Sequence, residues 1–187
     1  KNIFENAKKG LPPVADINSW LQATKVLASG TAALAPTKKP SVLWHVSSAK
    51  GVVQTIRLDV QSQQRLDWNS VRLDIYWDSD PQPYVSVKLA DLFGWPNPNQ
   101  LRSQVRAKPA AYGVGFDAHE SKKGGFLHFP MPFWDSANIV LVNEGTRSLS
   151  VHFTIVGTLE SFYSPQDAAY FGIQQNIYNP IPQGYGL

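Results

Sequence analysis

Three segments of this chain alternate apolar and polar residues with a period of two. In the first, Ile56, Leu58 and Val60 are separated by charged residues, and the same alternation runs through 71–77 and 148–155. Because successive side chains of a β-strand point to opposite faces, each segment predicts an antiparallel strand with one buried face. This pattern restricts the chain to folds built from half-buried strands.

Further segments have the length and composition of strands, which brings the expected total to about eight; they are 42–47, 84–89, 125–129 and 138–143. Turn-forming sequences separate them at Asp78-Ser79-Asp80-Pro81, Gly94-Trp95-Pro96-Asn97-Pro98 and Asn143-Glu144-Gly145. Many short strands at this spacing are typical of a sandwich, and eight suit a jelly roll. The predicted fold class is therefore all-β, a jelly-roll β-sandwich of about eight antiparallel strands.

The sequence Phe129-Pro130-Met131-Pro132-Phe133 interrupts this regular pattern between two strand candidates. Each proline removes a backbone donor and restricts φ, so a Pro-x-Pro pair is not expected inside a central strand. We therefore predict a forced kink here, between two separate β segments.

The two ends of the chain have a different character from the middle. Ser19 with Gln22 forms a capping-box pattern, and apolar residues at helical spacing follow it, which predicts a short helix ending near Gly30. The predicted organisation is an N-terminal arm with this helix and a linker over 1–40, the jelly roll over 41–158, and an extended, aromatic-rich C-terminal segment that wraps the domain over 159–187.

Composition excludes several classes of protein. The 187 residues are 43% hydrophobic and 17% charged, which suits one globular domain, and the net charge of +3 is too small and dispersed to indicate a nucleic-acid partner. Without cysteine there is no disulfide or thiolate metal site, and no apolar run is long enough to span a membrane. The chain starts at Lys1 without a methionine, which indicates a processed or trimmed product. A secreted or periplasmic bacterial protein is favoured over a cytoplasmic one.

Few residues have a pattern that indicates chemistry. The four histidines lack metal-ligand spacing, so no metal and no cofactor are predicted. His152 is expected on the surface, and His45 and His128 as hydrogen-bonded core or interface residues. Glu144 lies in a turn, where solvation is the expected role.

Five residues are candidates for contact with a ligand or another subunit. Asp117, His119 and Glu120 form the only acidic cluster in the long stretch 97–121, although an exposed polar loop would have the same composition. Trp95 and Trp134 offer aromatic faces, on which either a sugar or a protein surface could pack. Trp77, by contrast, belongs to an inward-facing set and is predicted to be core.

Three segments in order resemble the signatures of one family. They are Ile75-Tyr76-Trp77-Asp78 with the stretch 85–94, Phe129-Pro130-Met131-Pro132-Phe133 with the strand to Asn143-Glu144-Gly145, and Asp167-Ala168-Ala169-Tyr170-Phe171 with the later Gly184-Tyr185. The family is domain of unknown function 2961, part of which is glycoside hydrolase family 172, and the resemblance covers roughly residues 40–187.

The resemblance implies a furanosidase assembled from two tandem jelly rolls, active on α-D-fructofuranosyl and D-arabinofuranosyl linkages, and trimeric or larger. It places the two catalytic glutamates in the second jelly roll, and this chain ends about where that domain would begin. The family's Tyr-Asp-Arg-Thr-Gly-Gly-Asn-like segment has no match in 1–40. No catalytic residue is therefore assigned, and the chain resembles the first half of an enzyme.

Two other functions fit the same sequence. A non-catalytic, capsid-like subunit that assembles into homo-oligomers would explain the arm and the aromatic tail. A lectin-like carbohydrate-binding module would use the exposed tryptophans. The expected partners are further copies of the chain or a second jelly roll, with carbohydrate as a possible ligand.

Overall fold

A computed structural model of the protein describes residues 24–61, 65–93, 113–117, 124–160, 163–166 and 168–173. In this part of the chain the elements are, in order, β1 (Lys25–Leu34), β2 (Pro40–Val46), β3 (Gly51–Val60), α1 (Arg65–Ser70), β4 (Val71–Trp77), β5 (Val85–Lys88), α2 (Leu89–Leu92), β6 (Val114–Asp117), β7 (Gly124–Phe133), β8 (Ala137–Asn143) and β9 (Leu149–Thr158). No helix among the described residues is long and apolar enough to cross a membrane.

The strands form two antiparallel sheets that pack face to face. One sheet has the order β1-β9-β3-β7-β6 and the other has the order β2-β8-β4-β5. With β6 set aside, the pairs are nested: β1 with β9, β2 with β8, β3 with β7 and β4 with β5. A long antiparallel ribbon rolled up in this way is a jelly roll, so the predicted fold class is confirmed.

The core lies between the two sheets and is built from the alternating residues that the sequence singles out. Ile56 and Leu58 from one sheet, and Leu73, Ile75 and Trp77 from the other, are each at most 1% exposed. Burial of side chains of this size contributes about 1.5–3 kcal/mol each, which makes the alternation the main determinant of the sandwich.

The Pro-x-Pro segment does not separate two strands, and that prediction is wrong. Strand β7 runs unbroken from Gly124 to Phe133 and is paired with β3 on both sides of an irregularity. There Val53 pairs with Met131 and Thr55 with His128, so two residues of β7 lie opposite one of β3. This is a β-bulge.

The prolines are tolerated because this part of β7 has a free side. Strand β6 pairs with β7 only over Gly124–Leu127, and the His128 N–H still donates to the Gly113 carbonyl. Beyond His128 no described strand pairs with that side of β7, so a missing N–H there removes no ladder hydrogen bond. Met131 and Phe133 remain fully buried between the sheets.

The predicted helix ending near Gly30 and the linker after it are wrong over residues 25–34. These residues form β1, which pairs with β9 from Lys25–Gly157 to Leu34–Leu149. Helical spacing of Leu27 and Ala28 is a weak local signal, and pairing along a whole strand outweighs it. The sheet thus includes residues that the sequence assigns to the N-terminal arm, while Ser19, Trp20 and Leu21 lie outside the described residues.

Another strand that the alternation pattern does not predict lies within the stretch 97–121. Val114–Asp117 pairs with Gly124–Leu127 as β6 and extends the five-stranded sheet. Four residues with two glycines nearby give too short a pattern to be recognised from alternation alone. The partner strand β7 decides its conformation.

Candidate functional site

The predicted contact residues are only partly within the described chain. Trp95, His119 and Glu120 lie outside the described residues. Asp117 is the last residue of β6, where its backbone pairs with Gly124, and its side chain is outside the described part. Trp134 is described, and its surroundings can be followed atom by atom.

Trp134 follows β7 and contacts the C-terminal segment of the same chain. Its indole N–H donates to the Tyr163 carbonyl at 2.9 Å, and its ring meets the Tyr170 ring edge-on with centroids 5.0 Å apart. Tyr170 also packs against Tyr84, with centroids 4.9 Å apart. The half-buried Trp134 side chain therefore packs within its own chain, at least where Tyr163 and Tyr170 contact it.

Asp78 is the polar centre of this aromatic cluster. Its Oδ1 accepts backbone N–H bonds from Trp134, Asp135 and Ser136 at 2.9, 2.7 and 2.9 Å. Its Oδ2 accepts the Tyr170 hydroxyl at 2.7 Å and a longer bond of 3.1 Å from the Trp134 N–H. One carboxylate therefore joins the end of β4, the β7–β8 turn and the C-terminal segment.

The local backbone at Asp78 is strained. Asp78 and Ser79 have φ values of 51° and 62°, and the Asp80 N–H donates to the Trp77 carbonyl. Positive φ at both central residues is typical of a type I′ turn, where glycine or asparagine is preferred. The hydrogen bonds of the Asp78 carboxylate compensate for this strain.

The same contacts shift the pKa values of Asp78 and Tyr170. Burial alone would raise the pKa of Asp78, but hydrogen bonds from Ser136, Tyr170, Asp135 and Trp134 outweigh it and hold that pKa below its usual value. Burial together with the bond to Asp78 raises the pKa of Tyr170 to about 12. At neutral pH Asp78 is therefore ionised and Tyr170 is protonated, so the carboxylate is an acceptor and not a proton donor.

Trp77 is a core residue, as predicted. It is fully buried, it stacks on Phe133 with centroids 6.2 Å apart, and its indole N–H donates to the Phe171 carbonyl at 2.8 Å. Phe171 stacks in turn on Phe129 at 5.3 Å, and the Ile173 N–H donates to the Tyr84 carbonyl. These contacts attach residues 168–173 to the sandwich.

The histidines differ in part from prediction. His152 is exposed, as expected, but His45 and His128 are also exposed and are not core residues. His128 forms a hydrogen bond between its Nδ1 and the Thr55 hydroxyl at 2.7 Å, on the outer face of the five-stranded sheet. Within the described ranges, no three His, Asp or Glu side chains are grouped to hold a metal ion.

A polar cavity of about 500 Å³ opens at the end of the sandwich where two turns meet α1 and the end of β5, and we call it the turn cavity. It is lined by the β1–β2 turn, α1, the end of β5 and the β8–β9 turn, through Lys38, Asp67, Asn69, Ser70, Lys88, Glu144, Gly145, Thr146 and Arg147. None of these residues is aromatic, so the described lining of the turn cavity offers hydrogen bonds and charge but no stacking surface.

Ion pairs hold the acidic side chains of this region. Glu144 accepts a bond from Arg72 Nη1, and the same guanidinium binds both oxygens of Asp74 at 2.9 and 3.0 Å. Asp67, whose side chain is 7% exposed, accepts a bond of 2.5 Å from Arg147. Glu144 is therefore more than the solvated turn residue that the sequence predicts.

Sequence reasoning missed most of these residues because their partners are far apart in the chain. Arg72 and Glu144, or Arg147 and Asp67, come together only through pairing of β4 with β8 and the packing of α1. Asp78 was recognised only as a turn residue. The Asp-Ser-Asp sequence is a local signal of a turn. Nothing local indicates which backbone N–H groups the Asp78 carboxylate binds.

Comparison with known proteins supports the resemblance. A family model described as GH172 domain-like matches residues 25–156, from the first residue of β1 almost to the end of β9. The matched range includes Asp78, Trp134 and every residue of the turn cavity. A comparison with curated proteins gave no match.

Proposed function

The chain belongs to the GH172 domain-like family, and from that premise we propose that it is the jelly-roll half of a furanoside-directed glycoside hydrolase. The substrate class is an α-D-fructofuranoside or a D-arabinofuranoside. The catalytic carboxylates come from a second jelly roll, on the same or another polypeptide. The protein acts outside the cytoplasm, in a secreted or periplasmic form.

The observation that supports this division of labour is the state of four carboxylates, those of Asp67, Asp74, Asp78 and Glu144. A glycosidase needs two carboxyl groups facing each other across a sugar, one of them able to donate a proton. Here Asp74 and Glu144 share Arg72, Asp67 is bound by Arg147, and Asp78 is saturated by backbone N–H groups and Tyr170. Carboxylates fixed in this way stabilise the sandwich and are poorly suited to acid catalysis.

The proposal is tested by turnover. The chain alone should release no aryl group from p-nitrophenyl α-D-arabinofuranoside or from an aryl α-D-fructofuranoside. Together with the polypeptide that carries the second jelly roll, the chain should release the aryl group from at least one of these two furanosides. The pair should release none from an aryl glucopyranoside. A correctly folded pair that is inactive on both furanosides contradicts the proposal, as does turnover by the chain alone.

A second candidate function is a non-catalytic subunit of a homo-oligomer. Val26 and Val42 are 56% and 59% exposed, and they lie on the adjacent edge strands β1 and β2. Exposed apolar side chains next to strand edges that no described strand covers favour association with a further copy. Sedimentation analysis over a hundredfold concentration range tests this second candidate, since a monomer throughout contradicts the assembly role.

A further inference from the structure

Two lysines line the turn cavity without an acidic partner among the described residues. Lys38 is in the β1–β2 turn and Lys88 is the last residue of β5, so the two reach the cavity from different segments. No ion pair within the described ranges involves either lysine. A cavity lined by two lysines has a preference for negative charge.

The acidic residues of the cavity do not cancel this charge. Asp67 is bound by Arg147, and Glu144 is bound by Arg72, which is itself fixed by both oxygens of Asp74. Asp67 therefore has its own guanidinium, whereas Glu144 shares that of Arg72 with Asp74. Lys38, Lys88, Arg72 and Arg147 set against Asp67, Asp74 and Glu144 leave one net positive charge, and the two lysines, which form no ion pair among the described residues, are the natural partners of an anionic ligand.

The neutral groups of the cavity suit hydroxyl groups. Asn69 contributes an amide, and Ser70 and Thr146 contribute hydroxyls. A volume of about 500 Å³ is far larger than an inorganic anion needs and falls in the usual range for small-molecule sites. A small, polyhydroxylated anion fits both the polarity and the size.

The cavity wall is held by hydrogen bonds that do not need a ligand. The buried Asn143 amide donates to the carbonyls of Leu34 and Arg147 at 3.0 and 2.7 Å, and its oxygen accepts the Gly145 N–H at 2.9 Å. A Cβ at Gly145 would lie 2.8 Å from the Ser70 Cβ, so the turn packs tightly against α1. The site is therefore preorganised, which lowers the cost of binding.

We propose that the turn cavity binds a small sugar that carries an anionic group, either a carboxylate or a phosphate. Lys38 and Lys88 bind the anionic group, and Asn69 and Thr146 bind sugar hydroxyls. This is a binding site without chemistry, and it does not depend on the furanosidase proposal. Failure of either proposal leaves the other standing, because the test below measures binding in the absence of turnover.

The experiment is a titration of ¹⁵N-labelled protein, at low salt and neutral pH, with D-glucuronate, D-glucose 6-phosphate and neutral D-glucose. We expect one or both anionic sugars to shift amide signals of the β8–β9 turn, with D-glucose at least tenfold weaker. The two anionic ligands distinguish a carboxylate from a phosphate site. Inorganic phosphate binding as tightly as glucose 6-phosphate would overturn the role of the sugar hydroxyls.

Three lysine variants make the test specific. Lys38→Gln and Lys88→Gln should each weaken binding about three- to fivefold, the effect of one partly exposed charge, and the double variant more than tenfold. Lys39→Gln is the matched control, since Lys39 is exposed beside Lys38 but does not line the cavity. Any of three outcomes overturns the proposal: retained affinity in the double variant, an equal loss in Lys39→Gln, or no binding by the unmodified protein. Unchanged amide spectra of the ligand-free variants exclude misfolding as the cause of a loss.

Discussion

Asp78 shows how much structure one side chain can organise in this protein. Its carboxylate accepts three backbone N–H bonds from the β7–β8 turn and one bond from the Tyr170 hydroxyl. Bonds to a charged acceptor are stronger than neutral ones, and they are available only while Asp78 is ionised. The stability of the domain should therefore depend on this residue and on pH.

Replacing Asp78 by Asn should lower the free energy of unfolding at neutral pH by about 2–3 kcal/mol, because charged acceptors are lost and an NH₂ group faces N–H donors. The folded-state pKa of Asp78 lies below its unfolded value, so its contribution is fully present above the ordinary carboxyl pKa and is lost as pH falls below that value and through the depressed folded-state pKa. Urea unfolding from pH 7 to pH 3 should show the two proteins converging at low pH.

Asp135→Asn is the control for that comparison, since Asp135 is exposed and contributes only its backbone N–H to the Asp78 carboxylate. It should unfold within about 0.5 kcal/mol of the unmodified protein at every pH. A difference between Asp78→Asn and the unmodified protein that stays constant down to pH 3 would show that the charge is not the cause.

Gly125 allows a second test at the scale of one residue. A Cβ added there would lie 2.0 Å from the buried Phe93 ring, while a Cβ at Gly30 would lie 3.5 Å from Phe153. Gly125→Ala should therefore destabilise the protein by about 1–3 kcal/mol through overpacking. Gly30→Ala should be neutral or slightly stabilising. Thermal unfolding measures both variants, and an equal change in melting temperature would show that packing against Phe93 is not the cause.

Among the elements, the C-terminal segment has the most informative position. Its described part, with Tyr170, Phe171 and Ile173, contacts Trp134, Phe129 and Tyr84 and forms an isolated parallel bridge from Ile173 to Val85. The segment is held by ring packing and a few backbone bonds rather than by a full strand. Its attachment should respond to single contacts.

Tyr170→Phe removes the hydroxyl that binds Asp78 and leaves both ring contacts of Tyr170 in place. We expect a loss of about 1–2 kcal/mol in the free energy of unfolding and faster hydrogen exchange at the Ile173 amide. The loss should nearly vanish in an Asp78→Asn background, because the two residues share one interaction. Additive effects in this double-mutant cycle would contradict the coupling.

For the whole molecule, the interface between the two sheets dominates stability. Leu141 lies on the inner face of β8 and is fully buried, whereas Val42 on the edge strand β2 is 59% exposed. Leu141→Ala should lower the free energy of unfolding by about 2–5 kcal/mol, and Val42→Ala by less than about 0.5 kcal/mol. Denaturant titration measures both, and a similar cost for the two would mean that the sheets do not share one core.

The amino-acid sequence alone is enough to predict the sandwich, because alternation such as Ile56, Leu58 and Val60 is local information that holds wherever a strand has one buried face. It also indicated the family through short ordered signatures. Only the tertiary contacts make 25–34 a strand, keep the Pro-x-Pro segment within β7 with a bulge against β3, and pack Trp134 on its own chain. They decide the turn cavity too, since Lys38, Lys88 and the β8–β9 turn meet only after distant strands have paired. Such contacts depend on neighbours that no local pattern records, which is the physical reason why the fold was predictable and the site was not.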